Sequence, residues 1–289
     1  MCKEIKKSDL HVHTTFSDGS LTPYEVLKWA YDKKIYAISI TDHDTIEGLK
    51  YAIESSNLFD VLIVPGVEIS CTFEDEEIHL LGYYFDIQDK NLLEALNLLK
   101  HSRETRGEKI IEKLNRLGLN LTLHEVYDIA GKGVIGRPHI AKAMINRKYV
   151  SSVQEAFDKY LDRHKPAYVD RYRLSLKEGI DLIHKAGGVA IIAHPGLIKN
   201  ERIFFEVMKI GIDGIEVIHS KHSPEDTLKY EHMANENNLI TTGGSDFHGD
   251  LIGDIPVLGD YFIDYSHVKL LYKKACFYRE RRDIDNVQE

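Results

Sequence analysis

Residues 8–20, SDLHVHTTFSDGS, read as a short strand running out into a polar loop. Side chains two apart on an extended strand face the same way, so His11 and His13 can reach one cation, and Asp18 stands just beyond them. Similar strand ends recur down the chain. They are TDHD with His43, PGVEIS with Glu68, IHLLGY with His79, IIAHPG with His194, and GGSDFHG with Asp246 and His248. In a chain with 15 histidines a single HxH pair carries little information. The same placement repeated at successive strand ends predicts a multinuclear metal site. Imidazole and carboxylate donors suit zinc, manganese and iron alike.

Outward from that stretch, strand and helix patterns alternate. Thr22, Pro23 and Glu25 form a helix start with capping-box spacing and proline at the first helical position. YAISIT at 36–41 predicts a strand, EGLKYAIESS a helix, and VLIVPGVEI and EIHLLGYYF two more β-rich runs. From Asp89 to Arg173 the alternation stops and amphipathic helical patterns take over. Capping spacings fall at Thr122 with Glu125 and at Ser152 with Glu155, and stop signals at Gly118 and Gly131. The alternation then resumes with a helix at 175–185, VAIIAHP, GIEVIH, a helix from Pro224, LITTGGSDFH and a helical, charged tail. The expected organisation is an α/β barrel from residues 1–88 and 174–289, interrupted by a helical insertion over 89–173. A length of 289 suits one barrel with an insert. In such barrels the reactive groups collect at the C-terminal strand ends, where these motifs fall.

Composition narrows the function. A formal net charge of -9 argues against coating long nucleic acid, while leaving a small or short phosphorylated ligand open. No apolar run is long enough to cross a membrane, and MCKEIKKS has no apolar segment of the secretory kind, so the expected compartment is the cytoplasm. Cys2, Cys71 and Cys276 lack CxxC spacing and predict neither a disulfide framework nor a thiolate zinc site. Cys276 and Arg282 match the bare CxxxxxR spacing of thiol phosphatases, but the bulky residues between them offer no phosphate cradle, and no P-loop is present.

HVHTTFSDGS, TDHD, PGVE, AHPG and GSDFHG, in that order, resemble the motifs of the polymerase and histidinol phosphatase (PHP) superfamily over roughly residues 8 to 255. The helical insertion with GRPHIA is similar to the branch that hydrolyses nucleotide 3',5'-bisphosphates and short 5'-phosphorylated RNA. The resemblance implies a distorted (β/α)7 barrel holding three divalent cations. His11, His13, Glu68 and Asp246 would hold the first. Glu68 would bridge to a second, shared with His79 and His194, and Asp18, His43 and His248 would hold the third. Three such cations against three ligand carboxylates and one hydroxide leave a charge of about +2 facing the ligand, matched to a phosphate dianion. The expected nucleophile is that hydroxide, bridging two cations, with no covalent enzyme intermediate. The proton donor to the leaving group is not legible; His194 and Asp246 are candidates only if their metal bonds permit.

Arg137 and His139 in GRPHIA are candidates for holding a substrate phosphate from the insertion, and His219 for lining the pocket. DRHKPAYVDRYR, at 162–173, mixes arginines and tyrosines that could stack a base and neutralise phosphates, though a solvated surface is the favoured reading. His222 is expected at the surface. Asp42 could orient His43, and Asp44 is expected to cap the following helix. Two other functions compete: a phosphomonoesterase of the histidinol phosphate type, and a noncatalytic module binding RNA or a partner protein. A complete set of nine ligand types argues against the latter.

Overall fold

The computed structural model describes residues 5–131, 133–198, 200–253 and 255–288; Cys2 lies outside them. The chain begins with β1 (Lys7–Val12), α1 (Pro23–Asp32), β2 (Ala37–Ile40), α2 (Glu47–Ser55), β3 (Leu62–Ile63), β4 (Gly66–Phe73) and β5 (Glu76–Tyr83). A helical stretch follows: α3 (Lys90–Arg116), α4 (Leu123–Ala130), α5 (Arg137–Asn146) and α6 (Val153–Ala156). The strands then return as β6 (Leu174–Ser175), α7 (Leu176–Lys185), β7 (Val189–Ile192), α8 (Glu201–Val207), β8 (Gly214–His219), α9 (Pro224–Glu236) and β9 (Ile240–Gly244). Three two-residue strands, β10 (Leu251–Ile252), β11 (Ile255–Pro256) and β12 (Ile263–Asp264), precede α10 (Tyr265–Gln288).

One sheet has the order β12-β1-β2-β3 and a larger one β6-β4-β5-β7-β8-β9. β1 and β2 pair in parallel, as do β7 with β8 and β8 with β9, whereas β5 runs antiparallel to both β4 and β7. Single bridges join the two sheets at both margins, His43 to Glu68 and Val12 to Phe247. β2 and β7, AISI and VAII, are buried throughout, as expected of strands covered on both faces. Where β9 ends against β1, a Cβ on Gly244 would lie 2.4 Å from the His11 amide nitrogen, so only glycine permits that approach.

Local chemistry explains most boundaries. Thr22 and Thr122 close capping boxes with Glu25 and Glu125. Ser152 accepts from the Glu155 amide, but the Glu155 carboxylate turns to Ser151 instead. Gly131 ends α4 at φ 59. The expectation for Asp44 is overturned. α2 begins after Ile46, which makes no side-chain cap, while the buried Asp44 carboxylate accepts from the Ser70 amide, Arg103 Nε and Arg171 Nη1. Two guanidinium groups compensate a buried charge far better than an exposed helix end.

Two hydrophobic clusters exist. The larger lies among the strands and the helices around them; the smaller is built from residues between Ile110 and Ala167, including Leu114, Val126, Ile140 and Met144. α3 belongs to both: Leu92, Leu96 and Leu99 join the first, and Ile110, Ile111 and Leu114 the second. Among the described residues no helix is long and apolar enough to cross a membrane.

Candidate metal centre

All nine side chains converge, although Glu68 and His79 stand within their strands rather than at the ends expected, Glu68 third of eight in β4 and His79 fourth of eight in β5. His11 Nε2 lies 3.5 Å from Glu68 Oε2 and 3.3 Å from Asp246 Oδ1, and His13 Nε2 lies 3.2 Å from each of the same two oxygens. A zinc-sized ion about 2.0–2.1 Å from four tetrahedral donors requires donors about 3.3 Å apart, so these four atoms have the spacing of one coordination shell. The other Glu68 oxygen, Oε1, faces His79 Nδ1 at 2.8 Å and His194 Nε2 at 3.1 Å. Asp18 meets His248 Nε2 at 3.2 Å through Oδ1 and His43 Nε2 at 3.8 Å through Oδ2, while His43 Nδ1 lies 2.8 Å from Glu68 Oε2. Four overlapping donor groups result, one of which adds His219 to His11 and Asp246.

These atoms lack ordinary partners. His11 Nε2, His13 Nε2, Asp18 Oδ1, His43 Nδ1 and Glu68 Oε2 are all buried without a hydrogen bond, and so is His219 Nε2 beside Asp246. Each such atom costs about 1–3 kcal/mol, and five around one point call for an ion to satisfy them. The donor set therefore fits divalent cations.

Surrounding groups hold the donors in place. Glu216, which the sequence reading did not single out, is buried within β8; His11 Nδ1 lies 3.0 Å from its Oε1, and the His194 amide donates to Oε2 at 2.8 Å. Its only sequence signal is a carboxylate inside the apolar run GIEVIH. The Ser17 hydroxyl donates to Asp42 at 2.5 Å, which leaves its oxygen to accept from His13 Nδ1 at 3.4 Å. Asp42 therefore braces the loop carrying His13, through Thr14 and Ser17, rather than orienting His43. His194 and Asp246 adopt positive φ, 30° and 52°, unfavourable conformations of the kind that collect at functional sites.

The charges respond to one another. Burial raises the Glu68 carboxyl, but His43, His79 and His11 outweigh it and hold the group well below the usual carboxylate range. Burial lowers His43 to about 4, despite Glu68 and Asp18 beside it. For His79 burial acts downward, yet Glu68 and Glu77 lift it to about 10.

The remaining candidates are placed as follows. Arg137 opens α5, with Nη2 3.6 Å from Glu77 and Nη1 3.6 Å from Asp162. His139 is buried and its Nδ1 accepts from the Gly136 amide at 3.1 Å; burial pushes it down to about 4, with Asp18 and His248 in electrostatic reach. His219 is buried with Nε2 3.2 Å from Asp246 Oδ2. His222 is not the free surface residue expected: Nδ1 donates to Val217 O, and Nε2 accepts from the Gly196 amide. Within 162–173, Arg171 is buried against Asp44 and Tyr172 is exposed. Cys276 and Arg282 lie on α10, where a continuous helix offers no phosphate loop.

Comparison with known proteins accords with this geometry. The PHP domain model matches residues 9–169. The chain is 33% identical over 247 residues to the 5'-3' exoribonuclease Rnm of Escherichia coli, covering 83% of this chain and 84% of that one. It is 31% identical over 256 residues to the 3',5'-nucleoside bisphosphate phosphatase of Chromobacterium violaceum, covering 83% and 86%. A crystal structure of a candidate metal-dependent phosphoesterase from Bifidobacterium adolescentis superposes with a TM-score of 0.84 at 28% identity, covering 92% of this chain and 96% of that one. With its motifs, their convergence and these relatives in agreement, the chain belongs to the PHP domain family.

Proposed function

We propose that this protein is a metal-dependent phosphoesterase that hydrolyses phosphate esters of nucleotides, either 3',5'-bisphosphonucleotides or short 5'-phosphorylated RNA. The observation that carries the reading is the ring of buried, unpartnered donor atoms around Glu68. Three divalent cations fit: one among His11, His13, Glu68 and Asp246, one among Glu68, His79 and His194, and one among Asp18, His43 and His248. When bound, they would activate a water and polarise the phosphoryl oxygens. The fold is read as a distorted (β/α)7 barrel, 1–88 and 174–289, with 89–173 as a helical cover.

The nucleotide part rests on charge beside the centre. Arg103, Arg106, Arg137, Arg171 and Arg173 gather around two buried or half-buried carboxylates, Asp44 and Glu77, with the more exposed Asp162 and Asp170 at the margin. Arg106 Nη2, Arg171 Nε and Arg173 Nε have no partner, and burial together with neighbouring Arg137 pushes Arg106 down to about 9. A cleft of about 440 Å³ lined by Arg137, Arg173, Tyr168 and Glu77 adjoins them. The cleft lining is not basic in sum, since Asp75, Glu76, Glu77, Asp162 and Asp170 face Arg137, Arg163 and Arg173; what suits a second phosphate is the set of guanidinium nitrogens left without partners. Arg137 and the Nε2–H of His139 serve to hold it.

Phosphate release from adenosine 3',5'-bisphosphate, a short 5'-phosphorylated RNA and histidinol phosphate tests the assignment, with metal analysis of the same preparation. Nucleotide substrates are expected to be preferred, and His11→Ala or Asp246→Asn to abolish turnover in a folded protein. Turnover that persists after chelation and desalting would refute metal catalysis. A preference for histidinol phosphate would replace the nucleotide assignment with the smaller ester.

A further inference from the structure

His219 sits in a donor group with His11 and Asp246, at distances a metal site would tolerate. The hydrogen bonds on the far side of each ring separate it from His11, His13 and His248. His11 Nδ1 faces the Glu216 carboxylate, and His248 Nδ1 faces the Asp246 carbonyl at 2.8 Å, two groups that can only accept. His13 Nδ1 faces the Ser17 oxygen, whose proton is committed to Asp42. In all three rings an acceptor holds a proton on Nδ1, so Nε2 is the nitrogen that can present a lone pair once a cation displaces any proton there. His219 is reversed. Its Nδ1 accepts from the backbone N–H of Lys221 at 3.1 Å, so its proton is on Nε2, the atom 3.2 Å from Asp246 Oδ2.

We infer that His219 is not a metal ligand but a positioning residue: its Nε2–H, 3.2 Å from the outer oxygen of Asp246 and without a hydrogen-bond partner in the metal-free site, turns onto that oxygen when the site is loaded and commits the other one to the cation. The Asp246 carboxylate is divided accordingly: Oδ1 lies 3.3 Å and 3.2 Å from His11 and His13 Nε2, and Oδ2 lies on the His219 side. A lone pair on His219 would let Asp246 swing and present either oxygen. The N–H removes that freedom, and the positive φ of Asp246 fixes its backbone. The ring is fully enclosed at the end of β8, and the turn to Lys221 that fixes its tautomer belongs to the same segment. The inference rests on the metal-centre reading above for its consequence, though not for the proton's location.

Two measurements separate these levels. A long-range proton–nitrogen spectrum of the metal-free protein, with His219→Gln as the assignment control, is expected to place the His219 proton on Nε2; a proton on Nδ1 would overturn the inference whatever the protein catalyses. Metal stoichiometry at saturation is expected to be the same in wild type, His219→Ala and His219→Gln. Nucleotide turnover is expected to fall about ten- to hundredfold in His219→Ala, and to recover in His219→Gln, whose amide N–H reaches the same position. Loss of one cation per chain in His219→Ala would make His219 a ligand and refute the proposal, as would a glutamine variant as impaired as the alanine one. A wild-type protein that binds no divalent cation would instead overturn the functional reading, while the spectrum still decides the tautomer.

Discussion

Glu216 accepts from two segments of the candidate metal centre at once: His11 Nδ1 lies 3.0 Å from one oxygen, and the His194 amide donates to the other at 2.8 Å. One carboxylate thus orients a ring on β1 and the strained turn after β7. Glu216→Gln keeps the shape but presents an N–H where both oxygens must accept. Metal affinity is expected to drop about ten- to hundredfold, measured by titration of the chelated protein. Unchanged affinity would reduce Glu216 to a packing role.

The centre stores protons when it holds no metal. Burial lowers His79 and His248, but Glu68 and Glu77 around the first, and Asp18 and Asp246 around the second, lift both to about 10. With the folded values raised above 6.5, their stabilisation is complete below about pH 6.5 and is lost as pH rises through 10. Calorimetry of the metal-free protein is expected to give a falling Tm from pH 7 to 10. Cations must displace these protons, so metal affinity is expected to rise over the same window, about tenfold per pH unit for each proton released. A metal-free Tm that holds level across it would contradict this account.

Arg137 is held only loosely, at 3.6 Å from each of two carboxylates, and remains available to an incoming phosphate. Arg137→Ala is expected to raise KM for a nucleotide bisphosphate about ten- to hundredfold, the loss of one charged hydrogen-bonding group, with a smaller effect on kcat. An unaltered KM would put this side chain outside the substrate's reach.

Gly244 allows β9 to touch β1. An added Cβ would meet the His11 amide nitrogen at 2.4 Å and the His11 Cβ at 2.5 Å. Gly244→Ala is expected to lower stability by about 1–3 kcal/mol, as overpacking does, and to weaken metal binding by displacing His11. Denaturant unfolding with metal analysis checks both; a variant as stable and as well loaded as wild type would show that the strands can part at no cost.

The convergence of these side chains was legible because metal-type donors recur near strand ends marked by local patterns: His11 and His13 by alternation, Asp246 and His248 by the same spacing after β9. Glu216 was not, since a single carboxylate inside GIEVIH gives no hint of what lies beneath the strand. The buried arginines were hidden for a related reason. Arg103 and Arg106 occupy a helix whose pattern reads as amphipathic, and only the packing of α3 against Asp44 and Val169 reveals that they are enclosed. Asp44 was misread because local rules favour a cap there, while its real partners are 59 and 127 residues away.

The reversal of β5 has a consequence for architecture. Strands parallel to β1 deliver the chain to the rim where the histidines stand, but β5 starts near that rim, which is why His79 lies in its first half, and leaves the chain at the opposite end. α3 must therefore climb back along the outside. Its 27 residues span about 40 Å, against about 27 Å for the eight residues of β5. The surplus of roughly two helical turns carries its end beyond the rim. One strand laid backwards thus works as a mast step, and the height of the mast decides where the helices after α3 are hung.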